Sequence, residues 1–365
     1  MTHPSTQEFA LNVPINAVSF GQVSVAIMRE LKSRGYQPNI FPIGGQADLS
    51  TQKNDPEFNQ WLGHCINNAQ KDHSRKKTSI RLWHINGSLE TYSETDSRLI
   101  TFHETDQLTP YEINVLKNQS KVYVTSKFTQ QVFATFGIQV EYLPLGFDAH
   151  NFAPLAKRPK IDGAIQFGLA GKLEVRKNHL KILNLWAKKY GNNNKYRLNA
   201  AVHNPFLKPE HMNALIGQAL EGKPCRNINF LPYMGNNAEY NNFLQANDIH
   251  LALSGGEGFD LPAFQATALG AHTVALRAHV YNDYLNDQNA VLVSPNGKRP
   301  AADGIFFHPN SQFNVGNFFD FDDKAFYAAC EEAEKRVAQG LNTNGLELQK
   351  KTYAQTVDVL LKDLK

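Results

Sequence analysis

The sequence predicts an α/β protein made of two doubly wound, parallel-sheet domains facing across a cleft. Three observations carry that prediction. At 365 residues the chain exceeds one ordinary core and suits two domains of about 150 to 200 residues each. Short apolar runs alternate with helical patterns along its length, which is the element order of βαβ units and a parallel sheet. In the C-terminal half, two glycine-containing loops each lie between an apolar run and a helical stretch, where open α/β sheets hold their ligands.

Taken in order, residues 9–13 form an apolar strand, followed by a loop containing Pro, Asn, Ser and Gly and a helical pattern over 23–31. Arg34-Gly35 stops that helix, and a second strand over 39–43 completes the first βαβ unit. Further strands are predicted at 80–83, 99–102, 122–124 and 140–143, so residues 1–148 read as the first domain. Residues 154–162, rich in Pro, Lys and Arg, read as a surface linker. The second series opens with a strand over 165–170, a Gly-Lys loop and a helix over 180–186, and continues with strands at 196–202, 228–231, 250–253 and 273–276. It occupies residues 149–323. Two helices, 324–337 and 345–362, separated by Asn342-Thr343-Asn344, close the chain in a segment 324–365.

Apolar residues at 42% and charged residues at 19% give the balance of a folded chain. A net charge of +3 and a pI near 8.5 fall short of the dense basic stripe of a dedicated nucleic-acid binder. The opening residues 1–7 are polar and no stretch approaches the roughly 18 apolar residues of a membrane span, so the expected location is the cytoplasm. Cys65, Cys225 and Cys330 are odd in number and widely spaced, and read as reduced thiols.

The most informative stretch is Ser254-Gly255-Gly256-Glu257-Gly258-Phe259-Asp260-Leu261-Pro262. It follows an apolar strand and opens a helix, with Pro262 suited to the first turn. Backbone N–H groups at a helix N-terminus, with the positive end of its dipole, suit a phosphate or a set of sugar hydroxyls. A tight turn needing glycines is the simpler account of this loop taken alone. Its companion, Gly171-Lys172-Leu173-Glu174-Val175-Arg176-Lys177-Asn178, puts three cations in six residues after the first strand of the same domain. A solvated charged turn would explain that loop alone; together the two point to one anionic ligand at one sheet edge.

Glu257-Gly258-Phe259-Asp260-Leu261-Pro262 resembles the Glu-Gly-Phe-Gly-Leu-Pro core of the family-4 retaining glycosyltransferases, and Gly171-Lys172 with Lys177 resembles their Gly-Arg and following Lys. The resemblance extends to Phe230-Leu231-Pro232-Tyr233, with Met234 after it, near the donor base, and to the interdomain junction at Pro144-Leu145-Gly146-Phe147-Asp148. In the first half it reaches Phe20-Gly21-Gln22-Val23 and His103. There are two departures: Gln265 stands where the family has a second glutamate for the ribose, and Lys172 replaces an arginine, keeping charge but losing the bidentate fork.

The resemblance implies a GT-B fold and transfer of a hexose-type sugar from a UDP- or GDP-sugar with retention of configuration. It implies Lys172 and Lys177 stabilising the leaving diphosphate with the N–H groups of Gly21 and Gly258, Glu257 holding sugar hydroxyls, and His103 near the sugar or β-phosphate. Gly21, Gln22, Gly171, Tyr233, Met234, Gly258, Phe259, Asp260, Leu261 and Gln265 would contact the donor. A buried histidine with a structural partner is the alternative for His103. No metal and no cofactor beyond the donor substrate are expected, because Asp320-Phe321-Asp322-Asp323 reads as a helix start and not as a metal motif. The final helices are expected by resemblance to cross back onto the first domain. The acceptor, a glycan or a hydroxymethylated base in DNA as for the phage-encoded transferases that the composition resembles, is assigned to the first domain. There Lys71-Asp72-His73-Ser74-Arg75-Lys76-Lys77 is followed by Trp83-His84. A nucleotide-sugar epimerase of the same fold and a non-catalytic nucleotide-sugar-binding module are the rival readings.

Overall fold

The computed structural model describes residues 9–156, 158–159, 163–362 and 364. The polar opening and four positions of the expected linker lie outside the described residues. The chain divides into two compact units: unit 1 is Met1–His103, Gln107–His150 and Lys350–Lys365, and unit 2 is Glu104–Asp106 and Asn151–Gln349.

Unit 1 begins with β1 (Phe9–Ile15), buried at every residue, and α1 (Ser19–Ser33), which turns Val23, Ile27 and Leu31 inward at helical spacing. β2 (Asn39–Ala47) follows, then α2 (Pro56–Asp72), which starts where the Asp55 carboxylate accepts from the Phe58 N–H and a proline occupies the first turn. Next come β3 (Thr78–Leu82), β4 (Ser97–Thr101) and α3 (Pro110–Lys117), the last entered through a Thr109/Glu112 capping box. β5 (Lys121–Val124), α4 (Lys127–Thr135) and the short β6 (Glu141–Tyr142) complete the series. The six strands are parallel in the order β2-β1-β3-β4-β5-β6.

Unit 2 repeats the plan. β7 (Ile165–Ala170), α5 (His179–Tyr190), β8 (Tyr196–Ala201), α6 (Pro209–Ala219), β9 (Ile228–Phe230), α7 (Asn237–Ala246), β10 (Ile249–Ala252), α8 (Leu261–Ala268), β11 (His272–Leu276), α9 (Tyr281–Tyr284) and β12 (Ala290–Val293) succeed one another along the chain. Their six parallel strands are ordered β12-β11-β10-β7-β8-β9, the dinucleotide-binding order 3-2-1-4-5-6 read from the other edge. An antiparallel hairpin, β13 (Pro295–Pro300) with β14 (Asn317–Phe321), is added after the last parallel strand. Nothing in the periodicity of 295–321 announced it, because Pro, Gly, Lys and Arg fill β13.

Three α-helices close the chain among the described residues. α10 (Asp323–Ala338) lies against β11 and β12 of unit 2. Its apolar stripe of Phe326, Ala329, Cys330 and Ala333 is buried there. The single helix expected over 345–362 is divided into α11 (Thr343–Leu346), a 3₁₀ turn, and α12 (Tyr353–Leu361). The break has a tertiary cause: the Phe147 N–H donates to the Lys351 carbonyl at 2.7 Å, and Thr352 forms an isolated bridge with Phe147, so the backbone is extended at that point. α12 then lies on α1, where Arg34 Nη1 pairs with Asp358 at 2.6 Å and Nη2 donates to the Ala354 carbonyl at 2.9 Å.

Gly146 permits this crossing, since a Cβ there would land on the backbone of Thr352 and Tyr353. Gly146→Ala is therefore expected to destabilise unit 1 by about 3 kcal/mol, the upper end of an overpacking cost. Denaturant unfolding checks the magnitude, and limited proteolysis should cut the variant first between 347 and 352.

Candidate functional site

In unit 2 the strand order reverses between β7 and β10, and a crevice opens at such a switch point outside the C-terminal strand ends. The loop after β7 carries Gly171 to Asn178; the loop after β10 carries Leu253 to Asp260. Gly171 has φ of +118°, and a side chain there would press on the Lys177 methylenes at 3.0 Å, so glycine both makes the turn and clears a path for the lysine. Asn178, at φ 56°, donates from Nδ2 to the Leu253 carbonyl at 2.8 Å, tying the first loop to the second. The tie is reinforced where the Gly255 N–H donates to the Arg176 carbonyl at 2.7 Å and Arg176 Nη1 donates to the Gly256 carbonyl at 2.9 Å.

The two loops meet in a buried charge cluster. Glu257 is 5% exposed; its Oε1 accepts from Lys177 Nζ at 2.5 Å and its Oε2 pairs with Arg176 Nη1 at 2.7 Å. Glu174 takes the other side of Arg176 at 2.9 Å and pairs with Lys172 Nζ at 2.8 Å. Burial works to raise the Glu257 carboxyl, but Arg176 and Lys177 outweigh it and hold the group well below the usual carboxylate range. Burial likewise works against the charge of Arg176 and Lys177, and the surrounding carboxylates raise both.

Asp260, the last residue before α8, sits at φ 63° with Oδ2 accepting from Tyr281 Oη at 2.5 Å and Oδ1 3.9 Å from Lys177 Nζ. Burial raises its carboxyl against the attraction of Lys177. Phe259 is buried against Phe264 and Tyr284, so the aromatic of this motif is core, and Leu261 starts the helix. Gln265 lies one turn along α8, buried. Gly258 is buried in the loop itself. Lys172 is the most accessible of the three cations, its side chain 36% exposed, with Nζ 5.2 Å from the Phe206 ring and 5.5 Å from that of Phe306. Tyr233 and Met234 lie in the loop after β9; Tyr233 is 57% exposed and its ring lies 6.0 Å from that of His203.

A residue absent from the sequence reasoning joins this cluster. Glu104 belongs to the three-residue segment Glu104–Asp106 of unit 2, which is fastened where Asp106 accepts from Lys298 Nζ and from the Asn317 N–H, both at 2.8 Å. Its backbone carbonyl lies so close to Gly256 that a Cβ at 256 would strike it. Burial pushes the half-buried Glu104 carboxyl up to about 7, against the attraction of Arg176 and with the repulsion of Glu257 and Glu174. No local motif signals it; a carboxylate directly after His103 was the sole trace.

The remaining expected residues belong to unit 1. His103 is 3% exposed, its Nε2 3.0 Å from the Gln107 carbonyl and its ring edge-on to Phe133 at 5.1 Å. A Cβ at Gly21 would collide with Asn16, so close packing accounts for that glycine. Gln22 Nε2 donates to the Ala17 carbonyl and to Thr51 Oγ1, and its Oε1 accepts from Gln52 at 2.7 Å, which fixes the loop after β1. Asp322 caps α10, accepting from the N–H groups of Lys324 and Ala325. Among the described residues, no group of three or more His, Cys, Asp or Glu side chains is placed to hold a metal ion, and no helix is long and apolar enough to cross a membrane.

No protein-family model matches the sequence, and no curated protein is significantly similar to it. Solved structures do match. A sucrose-phosphate synthase from Thermosynechococcus elongatus aligns over 98% of this chain and 99% of its own, at 13% identity and a TM-score of 0.67. A glycosyltransferase from Rickettsia africae aligns over 99% and 98%, at 14% identity and a TM-score of 0.68. HepE from Anabaena, in complex with UDP and glucose, aligns over 97% and 99%, at 12% identity and a TM-score of 0.63. The fold is GT-B. At such low identity, likeness to these glycosyltransferases establishes the architecture, and the chemistry has to be argued from the residues.

Glu104 gives this GT-B chain a testable pH signature. Its folded carboxyl is raised from the ordinary 4.5 to about 7, so its burial costs nothing below pH 4.5 and a growing amount as pH rises to 7. Glu104→Gln is expected to be more stable than the parent above pH 7, by on the order of 1–2 kcal/mol after solvent screening, and no more stable at pH 4.5. Urea midpoints at the two pH values check both the sign and the window.

Proposed function

We propose that the chain is a metal-independent, retaining glycosyltransferase that moves a hexose-type sugar from a UDP- or GDP-sugar to an acceptor hydroxyl. The observation that carries the reading is the meeting of Lys177 and Glu257 at 2.5 Å at the switch point of unit 2. A cationic loop and a glycine loop converge there, with the N-termini of α5 and α8 at the same place. The GT-B likeness, which includes a structure holding UDP and glucose, agrees with it.

When the bond from anomeric carbon to phosphate breaks, negative charge grows on the diphosphate and positive character on the sugar ring. Lys177 and Lys172 would stabilise the diphosphate, Lys172 as the accessible cation and Lys177 from beneath it. Arg176 would act through Glu257, holding its carboxylate ionised and oriented toward sugar hydroxyls. Gly258 and the start of α8 would add N–H donors, and Gln265 would hydrogen-bond the ribose. Because the cations are already anchored by carboxylates, little reorganisation would accompany bond breaking.

Lys177→Ala leaves Glu257 its partner Arg176, so the loop is expected to keep its shape while turnover falls by about 100- to 1,000-fold, as on loss of one preorganised charge-stabilising donor. Sugar transfer or donor hydrolysis measured with UDP- and GDP-sugars checks this, and unchanged turnover at unchanged donor affinity overturns the assignment. Turnover is also expected to persist in excess EDTA; its abolition, with recovery on adding a divalent ion, would refute the metal-independent chemistry.

A further inference from the structure

Unit 1 has its own switch point, between β1 and β3, where the order β2-β1-β3-β4-β5-β6 changes direction. The side chains gathered there are aromatic. Phe20, at the start of α1, lies 4.5 Å from the His84 ring at 39°, 6.0 Å from Trp83 at 64° and 4.7 Å from Phe102 at 59°, while Trp83 meets His84 edge-on at 5.4 Å. These residues come after three different strand ends: Phe20 after β1, Trp83 and His84 after β3, and Phe102 after β4. His84 is exposed and the other three are half-buried, so the group is neither core nor scattered surface. The indole Nε1–H of Trp83 donates to no described residue, whereas that of Trp61 is spent on the Tyr36 carbonyl. A tryptophan with its body packed and its donor unspent is equipped to take a ligand having one apolar face and one hydroxylated edge.

Charge decides which ligand. Residues 16–20, 83–90 and 102–103 contain no lysine or arginine and one carboxylate, Glu90, which pairs with Arg81 at 3.4 Å. The basic stretch 71–77 leads into the start of β3, while Trp83 lies just past its end, so the strand separates them by roughly 16 Å at about 3.3 Å per residue. A nucleic acid needs cations along its phosphates, and these three segments offer none. A pyranose ring presents C–H groups on its face and hydroxyls around its rim, which matches a cluster of partly exposed aromatic rings beside an unspent N–H.

We infer that Phe20, Trp83 and His84 form a stacking platform for a neutral pyranose ring, so that the acceptor is a carbohydrate. The platform stands on its own geometry; its role as acceptor site rests on the transferase reading above. The test uses the full chain, with calorimetry and saturation-transfer NMR on methyl glucopyranosides, maltose and cellobiose, and in parallel a short duplex containing hydroxymethylcytosine. UDP and GDP are titrated separately. Saturable, salt-insensitive binding of a saccharide is expected, with transfer to ring C–H protons. Trp83→Ala should weaken it about tenfold, and so should His84→Ala, whose side chain is exposed. UDP binding should be unchanged in both variants. Saccharides that fail to saturate the parent, or that bind both variants as tightly as the parent, overturn the platform. Salt-sensitive duplex binding lost with Trp83 overturns it in favour of a nucleic acid. Saccharide binding without binding of either UDP or GDP upholds the platform and sinks the transferase reading instead.

Discussion

Taking Glu257 out of water beside a sheet edge carries a desolvation penalty that only close, well-directed partners offset, and the architecture of unit 2 around β7 and β10 supplies them. Arg176 and Lys177 reach the carboxylate from one loop because Gly171 turns without a side chain and leaves room for the Lys177 methylenes. Gly255 and Gly256 let the other loop come within hydrogen-bond range of Arg176, with the β14 backbone and the Glu104 carbonyl pressed against them where side chains would stand. Asn178 then closes the arrangement by bridging the Leu253 carbonyl and Arg299. Each glycine has a separate steric reason, and all of them lie where two cations meet one buried carboxylate.

The same cluster answers a question that the charges themselves raise. Lys172, Arg176 and Lys177 face Glu104, Glu174, Glu257 and Asp260, which counted at face value is three cations against four carboxylates. That sum would repel a diphosphate. Burial, however, raises both Glu104 and Asp260, while Glu174 and Glu257 are held low by the cations they touch. The two sets of shifts run in opposite directions, and the carboxylates held low are those in contact with the cations.

Much of the fold was legible because parallel strands buried on both faces leave largely apolar runs such as 165–170 and 273–276. The two unit 2 loops were legible through glycines and cations at strand ends. The features that escaped the sequence depend on contacts made at long range. The division between α11 and α12 arises from Phe147 meeting Lys351 and Thr352, and no helical propensity encodes that meeting. The β13–β14 hairpin has neither alternation nor β-branched residues to mark it. Glu104 acquires its surroundings from residues about 70 to 150 positions away. Gly21 and Gln22 illustrate the converse: their motif is readable, but Asn16, Thr51 and Gln52 give both a structural task that spacing alone does not disclose.

The two units also show how topology and composition divide the labour. Strand order sets a switch point in each unit, and it does so without regard to chemistry. At that of unit 2 the loop residues are cationic and paired with carboxylates; at that of unit 1 they are rings with an unspent indole donor. One doubly wound plan therefore carries two chemically different loop clusters by changing only the loop residues at the strand ends. On the transferase reading proposed above, the cationic cluster would suit a charged donor and the aromatic one a neutral acceptor, because cations hold a diphosphate and give the face of a sugar ring nothing to stack on.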